Sequence, residues 1–532
     1  MPSPFKPIYG LAAVFVLVWP AIVLAGQNLG DAEIRGKRIY VTGQGKQAIL
    51  ARLIGPGINT PATGFPCIQC HKEGGEGARE GGVLAPDITR DNLTIDHSGI
   101  RQTGRQHPPY DEATLKRAIR EGVDPAGNAL HPAMPRYKLD EADLADLLAF
   151  LKVLGKEPVP GVDDGYIRIG ILKPVSGPLA PVGQAVAMLL AGFFEELNAL
   201  GGLYGRNVEL VAVEFNPAAP PDVMLEAVLR HLAEVPVFCF VGNLGVPDDH
   251  PVARYFADEG IPVFAPLSIH AGSSFAGGGS IFYIQSSLYD QARVLMDYFS
   301  INLNPDNKKI ALVHAGDSYG KGAAAGARVQ SHRHGLEISV DTEYAAHAFV
   351  ARDAVENLKA SQLGAVFFFG AGEDMRNFIA AADAIGFKVP VLGLAELAGL
   401  NLLSLPAGSS GRVFLATPLH VPDPLHSGTR VYYRLLKKFN ISGRYASFLS
   451  SAFAGTRLLE EGMRRAGRDV TRAKLVKEVG NLWQFETGMT PNLTYNENRR
   501  TGLTGAALLR FDPEKKRYLA AGDWREPLAA QE

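Results

Sequence analysis

From residue 166 onward, short apolar runs rich in branched side chains alternate with amphipathic stretches of helical period. YIRIGILKP precedes GQAVAMLLAGFFEELNAL, VELVAVEF precedes DVMLEAVLRHLA, and VPVFCFVGN precedes HPVARYFADEG. The alternation resumes at KKIALVHAG, AVFFFGAG and VPVLGLAE. Continuous apolar runs bounded by turn residues read as strands buried on both faces. Their alternation with helices predicts βαβ units and parallel sheets covered by helices. Such sheets place ligands at the carboxyl ends of their strands. The candidate loops are therefore 173–180, 242–247, 266–274, 316–321 and 370–374.

The first third follows a different pattern. An apolar run over 8–24 follows the single Lys6 and ends in Val23-Leu24-Ala25, where the small residues Val23 and Ala25 suit signal-peptidase cleavage before Gly26, an uncleaved membrane anchor being the alternative. No cysteine follows the run, so a lipid anchor is not expected, and no second apolar stretch is expected to cross a bilayer. Further on, LDEADLADLLAFLKVLG predicts a helix. Asp140 is its N-cap, Asp143 its N3 residue, and Leu139 with Leu144 a hydrophobic staple. Leu144, Leu147, Leu148, Leu151 and Leu154 form its apolar stripe, and Gly155 stops it. KEPVPGVDDG, rich in Pro and Gly, then reads as a linker. The expected organisation is a signal peptide over 1–25, a first domain over 26–155, a linker over 156–165 and a second domain over 166–532.

Composition narrows the function classes. The 532 residues exceed one compact domain, and 46% apolar with 20% charged residues is the balance of a globular chain. A net charge of −2 shows no basic excess, so no nucleic-acid partner is expected. HExxH, P-loop and dinucleotide motifs are absent, and no enzyme activity is expected. Cys239, inside VFCFV, reads as a core thiol.

The other two cysteines stand in Cys67-Ile68-Gln69-Cys70-His71. Thiols three residues apart on one turn can each add to a haem vinyl group, and the next imidazole then faces the iron. Zinc would need four ligands, and no second CxxC or HxxxH pair exists. A thioredoxin-like dithiol would follow a strand, whereas INTPATGFP is turn-like. A Cys67–Cys70 disulfide would suit an oxidising compartment. Combined with an exported N-terminus, the spacing favours one covalently attached haem c. Met134, in the Pro-flanked HPAMPRY, is the candidate sixth ligand, with His97, His107 and His131 also in range.

These residues carry a resemblance. Residues from about 33 to 155 resemble a class I (monohaem) cytochrome c domain. Gly36-Lys37-Arg38-Ile39-Tyr40 is similar to that family's first helix, CIQCH to its haem site, and MPRYKLDEADLADLLAFLK to its distal loop and closing helix. The resemblance implies thioethers at Cys67 and Cys70, axial iron ligands at His71 and Met134, and a Pro86 carbonyl orienting His71. The stretch 41–66 is longer than the family usually has and is expected to cover a haem edge or dock a partner.

Residues from about 165 to 525 resemble the type I periplasmic solute-binding proteins, specifically the branched-chain amino-acid (Leu/Ile/Val) receptor family. The blocks that carry this are the SGP turn with NALGGLYGR, then FVGNLGVPDDHPVARYFADEGIPVFAPLS, GDSYGKGAA and SFLSSAFAGTRLLEEGMRRAG. The implied fold is multidomain: a small all-α cytochrome c domain, then a two-lobed α/β domain with hinges near 284–289 and 416–420. In amino-acid receptors of this family, hydroxyls hold the ligand's carboxylate. The aligned positions here are Val246 and Ile269, with Ser268 adjacent. Tyr319 matches a pocket tyrosine, Ala371 or Gly372 replaces a pocket aromatic, and Glu396 is the candidate acid for an ammonium. Losing hydroxyls from a carboxylate site is costly, so a neutral or weakly charged small solute is expected.

Three functions follow, in this order. The first is a periplasmic single-electron carrier whose solute-binding domain senses or docks, with a dehydrogenase or another cytochrome as redox partner. The second is a receptor delivering solute to an ABC permease, with an accessory haem. The third is a haem enzyme, which a filled sixth iron position argues against.

Overall fold

The computed structural model describes residues 29–97, 104–155, 159–273, 279–406 and 412–529. The expected signal segment, and residues 156–158 of the expected linker, lie outside the described residues.

In the N-terminal domain, the first helix (Asp31–Thr42) crosses the last (Glu141–Val153) at close range. Gly36 permits the crossing, because a Cβ there would stand 2.0 Å from the Asp146 carbonyl oxygen. Tyr40 and Phe150 pack beside it with ring centroids 5.4 Å apart. Asp140 caps the last helix as expected, its Oδ1 accepting from the Asp143 N–H at 2.7 Å. Leu144, Leu147, Leu148 and Leu151 join Ile39 and Tyr40 in one buried cluster.

This domain is not all-helical. The long stretch after the first helix forms a hairpin, Leu50–Leu53 with Ile58–Pro61, turning at Gly55-Pro56-Gly57. Its inner strand pairs antiparallel with Arg136–Lys138, making a three-stranded sheet. Inward-facing Ile49, Ala51 and Ala62 anchor it to the helical core. A second small hairpin pairs Ala78–Glu80 with Val83–Ala85.

The C-terminal domain has two lobes. In the first, five parallel strands run in the order Ile281–Phe282, Val263–Phe264, Cys239–Val241, Tyr166–Pro174, Asn207–Phe215. The helix Ala180–Ala199 is long and apolar enough to cross a bilayer by composition alone, which corrects the expectation that no second stretch is. Its Val186, Leu189 and Leu190 are fully buried in this lobe's core. The second lobe has seven strands. Glu337–Tyr344, Lys309–Ala315, Ala365–Phe369, Val391–Leu394 and Val413–Thr417 are parallel neighbours in that order. The sheet is then extended by an antiparallel pair, Ala506–Asp512 and Arg517–Arg525, joined by a tight turn. The expectation of purely parallel sheets missed this hairpin, since the two runs lack an intervening helix.

The chain crosses between lobes three times, at 283–287, 418–426 and 502–505. The first two overlap the expected hinges; the third was not anticipated. First and third are laced together: Tyr283 N–H donates to the Arg500 carbonyl (2.8 Å), Gly502 N–H to the Tyr283 carbonyl (2.9 Å), and Ser286 Oγ to the Gly505 carbonyl (2.7 Å).

Gly36→Ala should force the helix crossing apart and destabilise the N-terminal domain by about 1–3 kcal/mol. Among the described residues Trp483 and Trp524 both belong to the C-terminal domain. Urea unfolding should therefore shift by circular dichroism while the tryptophan fluorescence transition stays in place.

Candidate functional site

Two sites emerge, one per domain. In the first, Cys67–His71 forms a single helical turn entered from Pro66 and ended by Lys72, whose φ of 63° breaks the helix. That turn presents Cys67, Cys70 and His71 together. Both cysteines are free thiols, and burial pushes the Cys67 thiol up to about 12. A nucleophilic dithiol needs the opposite shift. His71 is 7% exposed, and its Nδ1 lies 2.9 Å from the Pro86 carbonyl oxygen. With Nδ1–H donating there, Nε2 keeps its lone pair and is the ring nitrogen left for a metal. Burial lowers the pKa of the imidazole, partly offset by the Pro86 carbonyl, and so favours the neutral form that a metal binds. Among the described residues no group of three or more His, Cys, Asp and Glu side chains converges, which leaves zinc without ligands.

A cavity of about 650 Å³ lies on the Pro86 side of His71, within the range of about 300–1,000 Å³ usual for cofactor clefts. Pro86, Ile88 and Leu93 supply apolar wall; Arg105, His97 and His107 supply polar wall. His97 and His107 exchange backbone hydrogen bonds (3.0 and 3.3 Å), and their rings lie 4.7 Å apart. Each commits one ring nitrogen to a backbone carbonyl, His97 Nε2 to Asn92 (2.7 Å) and His107 Nδ1 to Pro108 (2.9 Å). Arg105 pairs at 3.3 Å with Asp124, which is fully buried. His71, Met134 and the two thiols lie outside this wall. Met134 is half-buried in the turn before Arg136–Lys138, with its N–H on the His131 carbonyl (3.1 Å) and its own carbonyl held by Arg136. His131 is exposed and accepts from the Ala133 N–H at 3.1 Å. A buried Cys67 thiol held neutral, Cys70 on the same turn and an imidazole with free Nε2 fit haem attachment and iron ligation by their chemistry, whereas the cavity lies on the Nδ1 side of the ring and is walled by none of them.

The second site lies where the carboxyl ends of both sheets face the crossovers. Ile269 and Tyr319 pack against the second lobe's core. The Ser268 Oγ is buried without a hydrogen-bond partner. Glu396 accepts from Gln291 Nε2 at 2.6 Å, and burial pushes its carboxyl up to about 7. Gln291 is fully buried and also donates to the Ser286 carbonyl (2.9 Å), while its Oε1 has no partner. Gln291 Oε1, next to the raised Glu396 carboxyl, and Ser268 Oγ are buried polar atoms without partners, groups that a bound solute would satisfy.

Two expected pocket residues also take part in packing. Val246 is 7% exposed and lies in a core cluster with Phe240, Val252 and Phe256. Gly372 is required where two helices meet, since a Cβ would stand 2.0 Å from the Ala398 carbonyl oxygen. Conversely, sequence reasoning missed Gln291, which carries no motif and belongs to the apolar period of its helix. It also missed a cluster on Asp248, whose Oδ1 accepts from the Tyr283 hydroxyl (2.5 Å) and whose Oδ2 meets His270 Nδ1 (2.8 Å). The His270 and Tyr283 rings stack at 4.3 Å. Burial raises the Tyr319 phenol pKa, and Asp248, Asp249 and Asp317 raise it further, so this side of the cleft is acidic.

Glu396 holds its proton more tightly folded than unfolded. Its contribution to stability is present at acid pH and is lost as pH rises from the ordinary 4.5 through about 7. The total is about 3 kcal/mol. Urea denaturation across pH 5–8 should show this slope in the native chain and not in Glu396→Gln.

Comparison with known proteins gives the family of each domain. A cytochrome c family model matches residues 63–155. A periplasmic binding protein model matches residues 166–516. The Leu/Ile/Val/Thr-binding protein of Salmonella typhimurium is 23% identical over 358 residues, 64% of this chain and 95% of that protein. A Leu/Ile/Val-binding protein homolog of Brucella melitensis is 23% identical over 374 residues, covering 70% and 98%. Among solved structures, a branched chain amino acid ABC transporter protein from Thermus thermophilus with bound valine superposes with TM-score 0.52 at 15% identity, covering 69% and 98%. A fatty acid ABC transporter substrate-binding protein from Thermomonospora curvata gives TM-score 0.52 at 18% identity, covering 69% and 94%. The chain belongs to the periplasmic binding protein family, and it carries a cytochrome c domain ahead of the binding fold.

Proposed function

We propose that this protein is a periplasmic single-electron carrier whose haem domain is coupled in one chain to a solute-binding module that senses or docks. The observation that carries the reading is the His71 Nδ1–Pro86 carbonyl bond, which orients the imidazole and leaves Nε2 for iron. Cys67 and Cys70 would hold the haem as thioethers, and His71 and Met134 would ligate its iron. When bound, the haem supplies a one-electron iron couple. Pro86 fixes the tautomer of His71 and so leaves Nε2 for the iron it would ligate. With Met134 on the iron no position is left for a substrate, so the function is carriage rather than catalysis, and a redox protein is the partner. Residues 1–25 are the export signal, 26–155 the haem domain, 156–165 the linker and 166–532 the solute module.

The solute reading rests on Glu396, Gln291 and Ser268. A carboxyl that titrates near 7 accepts or donates a hydrogen bond at neutral pH, and Ile269 offers no hydroxyl to a carboxylate. A small neutral or weakly charged solute suits this pocket better than a free α-amino acid. A second reading, delivery of solute to an ABC permease, is favoured by the relatives named above, whose titles record amino-acid binding or ABC transport.

Reduced-minus-oxidised spectra of the purified exported chain, taken with and without candidate solutes, test both domains. Met134→Ala should lower the potential and open the iron to added ligands; an unchanged spectrum and potential removes Met134 from the iron. A true solute at a hundredfold its Kd should add about 2.7 kcal/mol to the stability of the solute module, visible as a thermal shift. Shifts with branched-chain amino acids alone would overturn the neutral-solute reading.

A further inference from the structure

The hairpin 50–61 is built onto the strand that follows Met134. Leu50, Ala51 and Arg52 stand opposite Lys138, Tyr137 and Arg136, so the ladder begins two residues after Met134. Ala51 is fully buried, and the hairpin's outer strand returns to Ala62, whose N–H donates to the Ile49 carbonyl at 2.9 Å. From Ala62 the chain runs directly into the CIQCH turn. Tyr137 closes the circuit: its hydroxyl donates to the Phe65 carbonyl at 2.7 Å, two residues before Cys67. Arg136 holds the turn from the other end, donating to the carbonyls of Met134 and of Leu130 (3.1 Å to the latter).

We infer that this hairpin is a clamp that holds the Met134 turn to the haem-attachment segment, with Tyr137 as the positioning residue that ties the two. The inference rests on reading Met134 as an axial ligand. The bonds of the Met134 turn are local, from His131 and Arg136, and none of them reaches the haem-attachment segment. A three-stranded ladder that ends beside the CIQCH turn supplies that link and makes loss of the methionine cost the opening of the sheet. The hairpin therefore acts on how readily the iron exchanges Met134 for an external ligand, and on its potential through that exchange.

The test measures imidazole affinity, the methionine-to-iron charge-transfer band and the midpoint potential on the full haem-loaded chain. Tyr137→Phe removes a single hydrogen bond and should tighten imidazole binding about fivefold. Replacing 50–61 by a short Gly-Ser link should tighten it further, weaken the charge-transfer band and lower the potential. Ile58→Ser, on the exposed face of the outer strand, is the control and should match the native chain. If the shortened chain does not fold, Tyr137→Phe decides alone. Native imidazole affinity, band and potential in Tyr137→Phe would overturn the clamp while leaving Met134 ligation intact. A native chain that lacks the methionine band would overturn both readings together.

Discussion

Two buried carboxylates on the closing helix organise the haem domain. Asp146 is 5% exposed and would be untenable there without compensation. Arg35 on the first helix grips it with two bonds of 2.7 and 2.8 Å, and Lys46 adds a third contact at 3.1 Å. The Arg35 bond holds this carboxyl below the usual range. One turn earlier, Asp143 accepts from the backbone N–H of Lys46 at 2.9 Å and of Gln47 at 3.4 Å. The pair thus fastens the first helix, the entry to the inserted hairpin and the closing helix at one point. Gly36 brings the helix backbones close enough for this to happen. Asp146 is buried while Arg35 and Lys46 are 43% and 52% exposed, so solvent screens this network from its cationic side and its worth lies between that of a buried and a surface ion pair.

The two sites use burial in opposite ways. Around Cys67 and His71 it keeps thiol and imidazole neutral, which is what attachment and metal binding require. Around Glu396 it raises a carboxyl toward neutrality and leaves Gln291 and Ser268 with unsatisfied atoms, an arrangement a ligand can complete. The acidic side of the cleft is held more tightly, since Asp248 is already engaged by Tyr283 and His270. These two rings sit at the first crossover, so any relative motion of the lobes about 283–287 is felt by that carboxylate.

Much of this was legible along the chain. CIQCH, Pro86 and the capped closing helix act through neighbours a few residues apart or through a periodicity of 3.6, and short-range physics makes such features readable. The same holds for the βαβ alternation after residue 166. Gln291 was invisible because its partner Glu396 lies 105 residues away. The inserted hairpin was readable as an extra segment but not as a sheet, since its pairing strand Arg136–Lys138 is only three residues long.

By itself, then, the sequence determined the attachment motif and the class of each domain, because both depend on residue type at local spacing and on repeated hydrophobic period. Only the tertiary structure decided which side chains meet: Arg35 with Asp146, Tyr137 with Phe65, Gln291 with Glu396, His270 and Tyr283 with Asp248. Those meetings depend on where distant elements pack, and packing is set by the summed burial of the whole core rather than by any one stretch of chain.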